Sequence, residues 1–213
     1  MKNVLILGAS GKIAQLAETM LHQHSDLNLT LYLRHPKKLA ATNKSWGKVI
    51  QADVLDEAAL SQAVHGQDVV YANLAGDNIE QQARQLVTVM EQEQVKRLIW
   101  ISTLGIYDEV PGKFGKWNNR MLGASYLPTY KAAAQVIENS NLDYTIIRPA
   151  WLQDSDEVDY EVTQKGEPFK GTEVSRKSIA SVVTDIILNP DQYSKASIGV
   201  NKPHTDGDKP NWY

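Results

Sequence analysis

The chain alternates between short, largely apolar, strand-like runs and longer stretches in which apolar residues recur every three or four positions. Residues 4–7, 29–33, 49–52, 68–73, 97–102 and 144–148 are the apolar runs, and each is bounded by polar or turn-forming residues. Runs of that length read as buried strands. Helical spacing follows most of them. Ile13, Leu16, Ala17, Met20 and Leu21 share one helical face, and Ala83, Leu86, Val87 and Met90 share another within 78–93. A short helix over 56–64 is expected to be capped by Asp56, and Pro128 is suited to open a helix that runs to about Asn139. The glycine-rich, aromatic stretch 103–127 reads as a long loop. It carries Phe114, Trp117, Met121 and Leu122 as a mobile lid over an apolar pocket, or as a satellite of the core.

After Pro149 the pattern changes. Residues 157–163 alternate like a small strand, Ser175 is a candidate N-cap for a helix over 176–188, and 196–200 reads as a last strand. Strand–helix alternation with short connections predicts an α/β fold, doubly wound, with a mostly parallel sheet covered on both faces. The expected organisation is a single domain over 1–213. Its core is 1–150, a small substrate-side lobe follows at 151–201, and a polar, poorly ordered tail ends it at 202–213.

Composition narrows the function classes. A net charge of −3 gives no support for nucleic-acid binding, and no apolar stretch is long enough to span a membrane. There is no cysteine, so disulfides, thiol catalysis and cysteine-ligated metals are excluded. The five histidines form no metal-binding spacing. These features fit a cytoplasmic protein with a small-molecule partner, as a monomer or a homodimer.

The chemistry starts in the first strand. It runs into Gly8-Ala9-Ser10-Gly11-Lys12-Ile13-Ala14 and then into a helix. Gly8 permits a tight turn, Gly11 permits close backbone approach, and the helix start offers unpaired N–H groups at the positive end of its dipole. That order suits a dinucleotide pyrophosphate. The second strand ends in Arg34, followed by Lys37 and Lys38, where an NAD site would carry an acid. An arginine there can grip a 2′-phosphate with two N–H groups, so NADP(H) is favoured over NAD(H). Asp53 ends the third strand, either to accept from the adenine amino group or as a turn residue.

Together these segments resemble the atypical short-chain dehydrogenase/reductases, in the NmrA-like, NAD(P)H-binding branch that includes flavin- and biliverdin-reductase-like proteins. The matching pieces are the glycine turn, Asp53, Asn73-Leu74-Ala75-Gly76, Ile101-Ser102-Thr103-Leu104-Gly105, Tyr130-Lys131, Leu142 to Pro149, and Val174-Ser175-Arg176. The resemblance implies a Rossmann-like fold. It implies that Gly8, Ser10, Gly11, Lys12 and Ile13 line the diphosphate, with Arg34 at the 2′-phosphate and Asp53 at the adenine. Leu74, Ala75 and Gly76 would run under the ribose. Ser102, Thr103, Lys131 and Pro149 to Trp151 would surround the nicotinamide.

The larger family uses a Tyr-x-x-x-Lys pair, and here Leu127 stands four residues before Lys131. Tyr126 is one position early and Tyr130 is adjacent. Candidate chemistry therefore falls to Lys131, Ser102, Tyr107 and Tyr126, with Lys131 expected to matter more than any tyrosine. Ser102 can also be a strand-end cap, and the tyrosines can simply wall a pocket. The expected function is an NAD(P)H-dependent oxidoreductase passing hydride to a small planar or carbonyl acceptor such as a quinone or flavin. The alternatives are a non-catalytic NADP(H)-binding redox sensor and an enzyme of the sugar-nucleotide epimerase/dehydratase kind.

Overall fold

The last four residues of β1 (Lys2–Leu7) are all buried, and this fixes the architecture. Val4 and Ile6 enter one apolar cluster while Leu5 and Leu7 enter another, so both faces of the sheet must be covered. The computed structural model describes residues 1–213. After β1 come α1 (Lys12–Leu21), β2 (Leu27–Leu33), β3 (Gly47–Gln51), α2 (Glu57–Val64), β4 (Val69–Ala72), α3 (Ile79–Gln92) and β5 (Arg97–Ile101). Then follow α4 (Gly112–Glu138), β6 (Asp143–Pro149), β7 (Trp151–Gln153), β8 (Glu161–Gln164), β9 (Glu173–Ser175), α5 (Arg176–Leu188) and β10 (Ala196–Asn201).

The main sheet has eight strands in the order β3-β2-β1-β4-β5-β6-β10-β8, and all but β8 are parallel. This is the Rossmann-like, doubly wound fold. Strand order reverses between β1 and β4, which opens a crevice at their carboxyl ends. Helices α1 and α5 supply the first cluster, with Ala14, Ala17, Ile179 and Val183. The second cluster is closed by α2, α3 and the latter half of α4, through Leu60, Leu86, Met90, Ala133 and Ile137. Asp56 caps α2, its carboxylate accepting from the Ala59 amide at 3.1 Å. Ser175 caps α5, its hydroxyl accepting from the Ser178 amide at 2.8 Å. β7 and β9 pair separately as a small parallel sheet.

Three segments depart from the sequence pattern. The stretch 103–127 is no long loop, because helix α4 begins at Gly112 and not at Pro128. Gly123, at φ 75° and ψ 176°, breaks α4 into two halves. The first half buries Phe114 in the first cluster, and the second half buries Tyr130 and Ala134 in the second. α4 therefore crosses from one face of the sheet to the other, and glycine makes the corner because a side chain rarely adopts that φ. The tail from Lys202 is not loose either. The Thr172 hydroxyl donates to the Thr205 carbonyl at 2.8 Å, and Asn211 bonds both oxygens of the Glu173 carboxylate at 2.9 Å.

The third departure lies in α1, whose buried face is Ile13, Ala14, Ala17, Glu18 and Leu21. Glu18 is wholly buried. One carboxylate oxygen accepts from Asn43 Nδ2 at 2.7 Å, while the other oxygen and the buried Tyr71 hydroxyl have no partner. Burial raises the Glu18 pKa from 4.5 to about 7, against the opposing pull of the Asn43 bond.

The folded state therefore holds this proton more tightly than the unfolded chain. The stability that Glu18 contributes is fully present below the unfolded pKa of 4.5 and is lost as pH rises through about 7. At pH ~8 the loss is on the order of 3 kcal/mol. Glu18→Gln should raise the urea midpoint at that pH, with the gain narrowing toward pH ~4. A gain of equal size at both pH values would show that ionisation is not the cause.

Candidate functional site

The turn after β1 is drawn tightly over the end of β4. Gly8 sits at φ +71°, and a Cβ there would collide with the Asn73 carbonyl oxygen. A Cβ on Gly11 would collide with the Asn73 side-chain amide. The Asn73 N–H in turn donates to the Leu7 carbonyl at 3.0 Å. α1 starts at Gly11 with no side-chain cap and no acidic residue in its first turn. Its first N–H groups and the positive end of its dipole are left to a ligand, and an anion fits there.

A cleft of about 300 Å³ opens from this turn. Gly8, Ser10, Gly11, Leu74 and Ala75 line its inner part, and Arg34, His35, Lys38 and Asp53 its outer part. Asp53 Oδ1 accepts from the Leu55 amide at 2.9 Å, and its carbonyl accepts from the Tyr32 hydroxyl at 2.7 Å. Burial, with the charges of Asp56 and Asp53, pushes the Tyr32 pKa up to about 12. Arg34 lies 3.6 Å from the Asp53 carboxylate, with side chains 64% and 46% exposed. A surface pair of that kind is weak, so the guanidinium can turn to an incoming anion. Gln82, at the start of α3, donates to Asn78 Oδ1 at 2.7 Å and to the Ala75 carbonyl at 3.2 Å, which fixes the strand-end loop. Glycine cradle and uncapped helix fit a dinucleotide, and the rim beside them is basic.

A second cavity, of about 150 Å³, lies at the carboxyl ends of β5 and β6. Ser102, Thr103 and Leu104 form one wall and Pro149, Ala150, Trp151 and Leu152 another, with Leu122 and Tyr126 of α4 facing them. Backbone bonds fix the two strand ends together, Ser102 N–H to Ile147 O at 2.7 Å and Leu104 N–H to Pro149 O at 3.2 Å. The Ser102 hydroxyl is buried without a partner. Tyr126 stacks on Tyr130 with centroids 4.3 Å apart, and partial burial followed by the neighbouring phenol pushes its pKa up. It is therefore a neutral phenol around neutral pH, able to donate a proton.

Beneath this cavity Glu109 holds the loop after β5. Its carboxylate accepts from the Gly105 and Tyr107 amides at 3.0 and 2.9 Å and pairs with the buried Arg148 guanidinium. Arg148 also donates to the Ser197 hydroxyl at 3.1 Å.

The structure thus brings Gly8, Ser10, Gly11, Arg34, Asp53, Leu74 and Ala75 into one cleft, and Ser102, Tyr126 and Pro149 into a second. Other expected residues put no side chain into either cleft, although the Lys12 and Ile13 amides belong to the open start of α1. Lys12 points away to Asp154, 2.7 Å distant, and Ile13 is a core residue. Gly76 forms the turn at φ +128° without lining the cleft. Tyr107 donates to Glu138 at 2.6 Å and bonds Ser197 at 3.2 Å, and burial with the Glu138 bond pushes its pKa up. Lys131 lies 3.8 Å from Asp108 and lines neither cavity. Tyr32, His35, Asn78 and Gln82 line the first cleft and were not expected there. The i, i+4 amide pair at the start of α3 was a readable signal for the last two.

A family model described as NAD(P)H-binding matches residues 8–190. A solved Rossmann-fold NAD(P)-binding family protein from Shigella flexneri is 45% identical, with a TM-score of 0.87 over 99% of this chain and 98% of that one. A wide-type short-chain dehydrogenase/reductase from Veillonella parvula, solved in complex with NADP, is 31% identical, with a TM-score of 0.92 over 99% of each chain. ChuY, an anaerobillin reductase from Escherichia coli O157:H7, shares the fold at 18% identity, with a TM-score of 0.79 over 97% of this chain and all of that one. No curated protein sequence matches the chain. No helix is long and apolar enough to cross a membrane.

The Glu109–Arg148 pair gives a stability test. Glu109→Ala leaves a buried guanidinium unpaired and should cost about 3–5 kcal/mol in urea unfolding. The double variant Glu109→Leu/Arg148→Met should cost clearly less, since no charge is stranded. Equal losses would mean that the pair contributes through packing alone.

Proposed function

The chain belongs to the NAD(P)H-binding family, and from that premise we propose that it is an NADP(H)-dependent oxidoreductase passing hydride to a small planar acceptor such as a quinone or flavin. The observation that carries this reading is the second cavity. It is apolar, it has no charged side chain in its lining, and its polar groups are the Ser102 hydroxyl, the Thr103 hydroxyl and the Tyr126 phenol. It opens at the same carboxyl edge of the sheet as the glycine turn, where open α/β sheets bind ligands.

When bound, the cofactor supplies a hydride. The uncapped start of α1 would hold its diphosphate, and Arg34 with His35 and Lys38 would hold a 2′-phosphate. Ser102 would donate a hydrogen bond to an acceptor oxygen, which meets the need of a hydroxyl otherwise buried without a partner. Tyr126 would exclude water and donate the accompanying proton as a neutral phenol. A tyrosine with a raised pKa is a weak acid. That favours acceptors whose reduced form is stable with little protein acid catalysis, as in quinones and flavins, over simple carbonyls. Sugar-nucleotide epimerisation draws no support, because no lysine stands beside Tyr126 in the cavity. The sensor reading draws support from one observation, the engagement of Lys131 with Asp108 outside the cavity.

NADPH oxidation against menadione, a flavin and simple aldehydes decides between enzyme and sensor. The enzyme reading expects menadione or the flavin to accelerate oxidation over the aldehydes. NADPH that binds tightly while no acceptor speeds its oxidation would sink it.

Cofactor choice is tested separately. Arg34→Ala should weaken NADPH by about 10- to 100-fold, the loss of a charge-assisted contact worth ~1.5–3 kcal/mol, and leave NADH nearly unchanged. Equal wild-type affinities for NADPH and NADH would reject the preference. Within the enzyme, Ser102→Ala is expected to lower kcat on the order of tenfold and Lys131→Met by less.

A further inference from the structure

Trp151 is the largest side chain of the second cavity, and it is held from three directions. Its indole N–H donates to Asn118 Oδ1 at 2.9 Å. The Trp117 ring lies 4.8 Å away, tilted by 57°. The third contact comes from the segment after β10. Tyr213 meets Trp151 edge-on at 5.4 Å and 82°, and meets Trp117 at 5.0 Å and 66°. Such edge-to-face contacts fix ring orientation as well as adding attraction.

The segment that delivers Tyr213 is anchored along its length. Asn211 bonds both oxygens of Glu173, a residue only 3% exposed, and Asp208 lies 3.2 Å from Lys113 of α4. The Lys202 N–H donates to the Glu173 carbonyl at 2.7 Å. Yet Tyr213 itself remains 48% exposed, so its ring caps the tryptophan pair without being part of the core. An anchored segment that lays a half-exposed ring edge-on against the wall of a cavity has orientation of that wall as its effect.

We propose that Tyr213 is a positioning residue of the acceptor cavity. It fixes the plane of Trp151, and so selects flat, uncharged rings that lie against that plane. The inference rests on the reading of the chain as a reductase of a planar acceptor. Absence of charge in the lining excludes acceptors that need an ionic partner, and the indole plane favours fused rings over open-chain carbonyls.

The test compares the full chain with Tyr213→Ala and Tyr213→Phe, using menadione as acceptor. Tyr213→Ala should raise KM for menadione about fivefold, the scale of one lost edge-to-face contact, with kcat nearly unchanged. NADPH affinity should stay at the wild-type value, Tm should fall by only about 2–4 °C with the lost ring contacts, and Tyr213→Phe should restore KM, because it keeps the ring and loses only the hydroxyl. The inference is overturned if Tyr213→Ala keeps the wild-type KM. It is also overturned if Tyr213→Phe behaves like Tyr213→Ala, or if KM, NADPH affinity and Tm all worsen together as a merely structural role would require. Those outcomes leave the reductase reading standing. A wild-type chain that binds NADPH but does not reduce menadione or any other acceptor defeats that reading, and this inference with it.

Discussion

The distance between the turn after β1 and the end of β4 sets the geometry of the whole carboxyl edge. Neither Gly8 nor Gly11 has room for a Cβ against Asn73. Because that approach is so close, α1 begins directly over the point where strand order reverses, with its N–H groups unspent. The register of β2 against β3, with Leu33 opposite Gln51, then brings Arg34 and Asp53 to the same rim. Basic rim and glycine turn belong to one cleft because three neighbouring parallel strands end at one level. A larger residue at either glycine would lift the helix start away from the crevice, and both the anion seat and the rim would move with it.

The parts of this site that could be read from sequence are those governed by local rules. Buried parallel strands announce themselves as apolar runs, so the edge formed by Leu7, Leu33 and Ala72 was visible. Asp56 and Ser175 were legible as caps because a cap is defined by its own side chain and an amide three residues on. Failures came where distant contacts overrule local preference. Gly112, Gly115 and Gly123 suggested a loop, but Phe114 and Asn118 are spaced to bury on one helical face, and Gly115 lets the chain close on Val110. Glu18 looks like an exposed helical acid until Asn43, 25 positions away, covers it. Tyr107 carried the right chemistry, but its partner Glu138, 31 positions away, holds it elsewhere, and pairing at that range has no sequence signature.

The two cavities differ in how they are made rigid. The first relies on backbone geometry and an exposed, weakly held basic rim, which suits a ligand that brings its own charge. The second is apolar and stands on a buried ionic support, Glu109 with Arg148, that never reaches its lining. Placing the charges one layer down fixes the loop after Ser102 while keeping charge out of the cavity lining. The break at Gly123 completes the arrangement, since it lets one helix contribute a wall on the way from one apolar cluster to the other.

Strand order also governs when each cavity can exist during synthesis. Sequential strands β1, β2 and β3 are laid side by side, and β4, β5 and β6 then extend the sheet from the other side of β1. Each new strand thus finds its neighbour already made, so the sheet can grow as the chain emerges. The glycine turn and its rim are complete once residue 82 has appeared. The second cavity gathers Ser102, Tyr126 and Trp151, and the aromatic brace on Trp151 waits for Tyr213. A nascent chain therefore acquires the means to hold a dinucleotide long before its second cavity can close, and an early-bound dinucleotide would stabilise the half-made sheet by mass action.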